Sequence, residues 1–188
     1  MIDLILDTSI LLGISHLYMD NITKPRSKRE RYLFDIKDKL EDRKINCIVT
    51  PTILNEIKKG WRRDDGFAEK VVSRFCEIDK FDEYAEGKAL SVTDAYGNFP
   101  INDSPAIINA EHYLQENYND AAIVSEVAVI QKLRKKIIPF VTDNIKDVCD
   151  ESKINQINAR HGLPKVHIHS MSTLKDAIEL AKNANSVM

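Results

Sequence analysis

Cysteine is scarce in this chain. Cys47, Cys76 and Cys149 are the whole set, an odd number with no C-x-x-C spacing. That argues against a disulfide framework and reads as reduced thiols inside a cell. Excess charge of either sign is also missing. Charged residues make up 30% of the chain, yet the formal net charge is only -2. A nucleic-acid partner would therefore have to be met by local basic patches rather than by the field of the whole molecule. No apolar run approaches the roughly 20 residues of a membrane span. The first residues enter a strand directly, without a basic stretch, apolar core and cleavage site. The expectation is a soluble, cytoplasmic protein. Internal repeats and low-complexity tracts are absent too. What is present is 188 residues with 43% hydrophobic content, enough for a single domain over 1–188 with its own core.

Short apolar runs alternate with helical spacing. Residues 2–6 read as a buried strand. After Asp7-Thr8-Ser9 a helix is predicted, with Thr8 or Ser9 as its cap. Residues 26–43 place Tyr32, Leu33, Ile36 and Leu40 at helical spacing. Ile45 to Val49 is a second strand. Thr50-Pro51 then combines a capping hydroxyl with proline at the first helical position, and Gly60 ends that helix. A further helix is predicted from about Gly66 to Glu77. Residues 79–105 read as an irregular insertion with one short helix. Asp103-Ser104-Pro105 and Asn119-Asp120 each read as helix starts, the second running to about Lys136. Ile137 to Thr142 is a strand, 166–168 a short strand, and Ser172 to about Asn183 the last helix. This alternation implies an α/β fold of three layers, α/β/α, around a central parallel sheet.

Four acids occupy significant places in that order: Asp7 after the first strand, Glu56 one turn into the helix after the second, Asp120 in Asn119-Asp120-Ala121-Ala122-Ile123, and Asp143 after Phe140-Val141-Thr142. In an open α/β sheet, ligands bind beyond the strand C-termini. Carboxylates gathered there would repel, by roughly 4 kcal/mol for a pair at about 4 Å and an effective dielectric near 20. A hard divalent cation, Mg²⁺ or Mn²⁺, relieves that repulsion and takes oxygen ligands of this kind. The chemistry that follows most economically is metal-assisted hydrolysis of a phosphodiester. Each acid also has a plainer reading. Asp7 and Asp120 suit helix caps, Asp143 suits a turn, and Glu56 suits a solvated helix face.

Taken together, Leu4-Ile5-Leu6-Asp7-Thr8-Ser9, Pro51-Thr52-Ile53-Leu54-Asn55-Glu56, Asn119-Asp120-Ala121-Ala122-Ile123-Val124 and Phe140-Val141-Thr142-Asp143-Asn144 resemble the PIN domain, a family of Mg²⁺- or Mn²⁺-dependent nucleases that includes toxin-type ribonucleases. The resemblance runs from residue 2 to about residue 147. The stretch between Glu56 and Asp120 is longer than in the compact toxin-type members, owing to residues 79–105. The resemblance implies an endoribonuclease in which Asp7, Glu56, Asp120 and Asp143 are catalytic and hold the metal. Thr8, Ser9, Thr142 and Asn144 are then candidates to orient carboxylates or waters. It also implies RNA as substrate, single-stranded or looped, and homodimers or an antitoxin as partners known among such domains.

Lys58-Lys59-Gly60-Trp61-Arg62-Arg63 mixes cations with an aromatic that can stack on a base, so Lys58, Lys59, Trp61, Arg62 and Arg63 are the RNA-binding candidates. Lys24, Arg26, Lys28, Arg29 and Arg31 form a second basic cluster. Lys132, Arg134, Lys135 and Lys136 form a third, which reads better as a solvated helix face. Glu126 also reads as a solvated helix acid, and His167 and His169 as a solvated strand edge. Two other functions compete. One is a non-catalytic PIN-like module that binds RNA or protein. The other is an acid-site phosphatase, disfavoured because an aspartyl nucleophile wants a second Asp where Ser9 stands.

Overall fold

The structure is a computed structural model, and it describes residues 1–60, 66–97, 110–143 and 151–186. Its centre is β1 (Ile2–Leu6), where Leu4, Ile5 and Leu6 are all fully buried. Successive strand residues face opposite sides, so burial of all three means that both faces of the sheet are covered. β2 (Ile45–Val49) and β3 (Cys76–Ile78) lie on one side of β1, β4 (Phe140–Thr142) and β5 (Ile168–Ser170) on the other. The order is β3-β2-β1-β4-β5, and every pairing is parallel. Ile5 stands opposite Ile48 on one side and Phe140 on the other. Helices flank the sheet in the expected three-layer α/β/α arrangement.

Local signals explain most of the helices. α1 (Thr8–Met19) is capped by Asp7. α2 (Lys28–Glu41) is capped by Ser27, whose hydroxyl accepts the Glu30 amide at 3.0 Å. α3 (Pro51–Gly60) begins as Thr50-Pro51 predicts, with the Thr50 hydroxyl accepting the Ile53 amide. α4 (Phe67–Phe75) leads straight into β3. The expected helix to Glu77 therefore ends two residues early and turns into a strand, because Cys47, Ile48 and Val49 offer their free edge to Cys76, Glu77 and Ile78. Within the stretch read as irregular, α5 (Glu83–Gly97) is a helix of 15 residues, longer than the one short helix expected. It packs against α6 (Ala110–Arg134).

α6 runs unbroken through Asn119 and Asp120. No helix starts there, so Asp120 is not a cap. Asn and Asp are weak helix formers that favour caps when nothing else decides, and here the neighbouring turns decide. Residues 123–131 are all buried, so this part of the helix runs through the core. β4 begins at Phe140 rather than Ile137, since the Ile137 and Ile138 amides are taken by the Asn185 and Gln131 side chains. α7 (Glu151–Arg160) precedes β5, which lies two residues later than expected. A 3₁₀ turn (Met171–Thr173) then leads into α8 (Leu174–Asn185), which rests on β1, β4 and β5. Among the described residues, no helix is long and apolar enough to cross a membrane. The predicted helix start at Asp103-Ser104-Pro105 lies outside the described residues.

Candidate active site

The strand order sets the location. From β1 the chain builds outward through β2 and β3, then returns to add β4 and β5 on the opposite side. β1 and β4 are thus neighbours whose following strands lie on opposite sides, and their C-terminal ends form the topological switch point of the sheet. That switch point is where open α/β sheets bind ligands. Asp7 directly follows β1, and Asp143 directly follows β4.

Asp7 is tightly held. Its amide bonds the Val141 carbonyl at 2.9 Å, which locks it to β4. Its Oδ1 accepts the Thr8 amide at 2.7 Å, and its Oδ2 accepts the Thr142 hydroxyl at 2.7 Å and the Ser9 hydroxyl at 3.2 Å. Burial pushes the Asp7 carboxyl above its ordinary value, the hydrogen bonds offset part of that, and the negative charge of Asp143 adds to the rise. Asp7 is thus a helix cap and a partly desolvated carboxylate beside a second carboxylate. The two readings of this residue are compatible.

Thr8 joins two acids: its amide serves Asp7 and its hydroxyl donates to Glu56. Glu56, in α3, is therefore linked to Asp7 through one residue, Thr8. Thr142 is fully buried, and its hydroxyl points to Asp7, as a residue that orients this carboxylate should. Asp143 pairs with a member of the second basic cluster: Arg29 Nε lies 2.5 Å from Asp143 Oδ2, and Arg29 Nη2 donates to the Ser9 carbonyl at 3.2 Å.

Asp120 is half-buried in α6, six residues before Glu126. Among the described residues, no three carboxylate, histidine or cysteine side chains are gathered as a set that could hold a metal ion. The structure brings Asp7 and Asp143 together and ties Glu56 to Asp7 through Thr8. Among the described residues it does not gather three of the four acids into one metal-holding group.

Glu126 is the acid that sequence reasoning misjudged. It is only 7% exposed. It accepts the Thr52 amide at 3.1 Å and the Thr52 hydroxyl at 2.8 Å. Burial raises its pKa, hydrogen bonds from Thr50 and Thr52 oppose the rise, and the charge of Glu56 adds to it. Glu126 thus satisfies an orphan donor at the start of α3 from another helix. The signal was present in the sequence: a lone acid inside Ala121 to Ile130, a run apolar on every helical face apart from Ser125.

Of the RNA-binding candidates, Lys58 and Lys59 are exposed in the last turn of α3, while Trp61, Arg62 and Arg63 lie outside the described residues, as does Asn144. The third basic cluster is engaged structurally. Lys132 bonds the Gly162 carbonyl, Arg134 pairs with Glu77 and Asp79, and Lys136 pairs with Asp3. Burial lowers the pKa of His169, and His167 beside it lowers it further.

The donors at the crevice are all oxygens, the ligand type of Mg²⁺ and Mn²⁺. Mg²⁺ is commonly held by one or two carboxylates with waters and substrate phosphates rather than by an all-protein cage. Asp7 and Asp143 fit that pattern. No family model, curated protein or solved structure matches this chain.

Proposed function

We propose that this chain is a Mg²⁺- or Mn²⁺-dependent endoribonuclease acting at the crevice between β1 and β4. The observation that carries the reading is the pair Asp7 and Asp143, fixed at the switch point and joined through Thr8 to Glu56. The similarity of its four acidic segments to PIN nucleases supports the same chemistry. Asp7 and Asp143 would hold the ion. Bound there, such an ion supplies an activated water and neutralises charge on the phosphate.

The remaining roles belong to the chain's own groups. Thr8, Ser9 and Thr142 hold the Asp7 carboxylate in one orientation, the precision a metal ligand needs. Glu56 accepts from Thr8 and keeps a carboxylate at the rim of the crevice, where it can take a proton from an attacking water. Asp120 adds negative charge from α6. Exposed Lys58 and Lys59 follow Glu56 in α3 and offer phosphate contacts beside it. RNA, single-stranded or looped, is the proposed substrate.

The test is cleavage of a panel of structured and unstructured RNAs by purified wild type and by Asp7→Asn. Activity should require Mg²⁺ or Mn²⁺, stop with chelator and be lost in Asp7→Asn. Equal activity of the two proteins would end the nuclease reading. One observation favours a second reading, a non-catalytic RNA- or protein-binding module: Asp143 already has a cationic partner in Arg29. That reading predicts RNA binding that is indifferent to chelator, with no cleavage.

A further inference from the structure

We propose that Arg29 is the phosphate-binding residue of this crevice, parked on Asp143 until a divalent cation takes that carboxylate. The inference rests on the nuclease reading above and deepens it.

Arg29 stands in the first turn of α2, and the residue it reaches is 114 positions away in sequence. Its guanidinium bridges Asp143 Oδ2, at 2.5 Å, and the Ser9 carbonyl, at 3.2 Å. The Ser9 hydroxyl bonds Asp7, so this cation is paired with Asp143 and linked to Asp7 through Ser9. Two of the five guanidinium N–H groups carry those bonds, which leaves three. The side chain is 48% exposed, so these are accessible to a ligand.

An exposed ion pair of this kind contributes little, so it exchanges readily. A divalent ion attracts a carboxylate twice as strongly as a guanidinium at the same distance. Once the ion engages Asp143, it also repels Arg29. The bond to the Ser9 carbonyl keeps the released guanidinium at the rim. Its planar fork then matches a phosphate, which Lys cannot match in the same way. Metal and substrate are thereby coupled: the cation that occupies Asp143 frees the group that receives the phosphodiester.

The experiment measures two affinities on wild type, Arg29→Ala and Arg29→Lys. The first is Mn²⁺ binding by titration calorimetry without RNA. The second is binding of a labelled oligouridylate by anisotropy across a salt series, with Ca²⁺ present and the strand checked as intact. Arg29→Ala should bind Mn²⁺ about twofold to fivefold more tightly, because the competing ion pair is gone. It should bind RNA about tenfold more weakly, with a salt slope reduced by about one. Arg29→Lys should restore Mn²⁺ affinity toward wild type without restoring RNA affinity. A merely structural role for Arg29 would weaken both affinities together. Unchanged or weaker Mn²⁺ binding in Arg29→Ala, in protein that melts like wild type, overturns the inference while leaving the nuclease reading intact. If wild type binds no Mn²⁺, both are overturned.

Discussion

At the scale of the residue, two carboxyls withdrawn from water, Asp7 in part and Glu126 almost wholly, make opposite predictions from the usual surface acid. Burial raises Asp7 and Glu126 above their ordinary values. The native state therefore binds protons more readily than the unfolded chain, and the stability these groups contribute is present at low pH. It falls as pH rises from the ordinary carboxylate range, near 4, through their raised values. Glu126→Gln should flatten that decline, as read from urea midpoints across a pH series. Glu126→Ala should cost about 1–3 kcal/mol, since it strands the Thr52 amide and hydroxyl without an acceptor. Asp7, its strand-end position and its hydroxyl neighbours were legible in the sequence because an apolar run stopping at Asp-Thr-Ser marks an edge. Glu126 was legible too but misread: a lone acid in the otherwise uncharged run Ala121 to Ile130 does not fit a solvated helix face. Arg29 was unreadable: its partner is set by the tertiary fold, not by spacing.

At the scale of the element, glycines in two helices separate packing from propensity. Gly13 lies where α1 meets α2, and an added Cβ would come within 2.8 Å of the buried Leu33 side chain. Gly87, inside α5, would meet nothing within 4 Å. Gly87→Ala should therefore stabilise by about 0.5–1 kcal/mol, the helix-propensity gain. Gly13→Ala should lose that gain to the contact with Leu33, and Gly13→Leu should destabilise by about 1–3 kcal/mol through overpacking. Thermal melts of the three variants check both claims. Elements with sharp local punctuation were read closely: β1, β2 and the Thr50-Pro51 start of α3. β3 was missed because a three-residue edge strand containing Glu77 carries too little pattern to compete with the helical spacing before it. The false start at Asn119-Asp120 has the reverse cause, a strong cap signal overruled by the enclosure of α6.

At the scale of the whole molecule, ion binding at Asp7 and Asp143 should stabilise the native state. Mn²⁺ at about a hundredfold above its Kd should contribute about 2.7 kcal/mol, a rise in Tm of roughly 5–10 °C for a chain of this size. Asp7→Asn should abolish the rise while the metal-free Tm changes little, and a persistent rise in that variant would remove Asp7 from the site. The position of β1 at the middle of the sheet has a consequence in time. Its pairing with β2 joins nearby parts of the chain, but the hydroxyl that completes Asp7 belongs to Thr142, 135 residues later. At about 5–20 residues per second, a ribosome reaches that residue roughly 7–27 s after Asp7 is made. On the proposed ribonuclease reading, a chain still being translated on its own message lacks the Thr142 half of its centre, and its danger to the RNA that encodes it is deferred until β4 is in place.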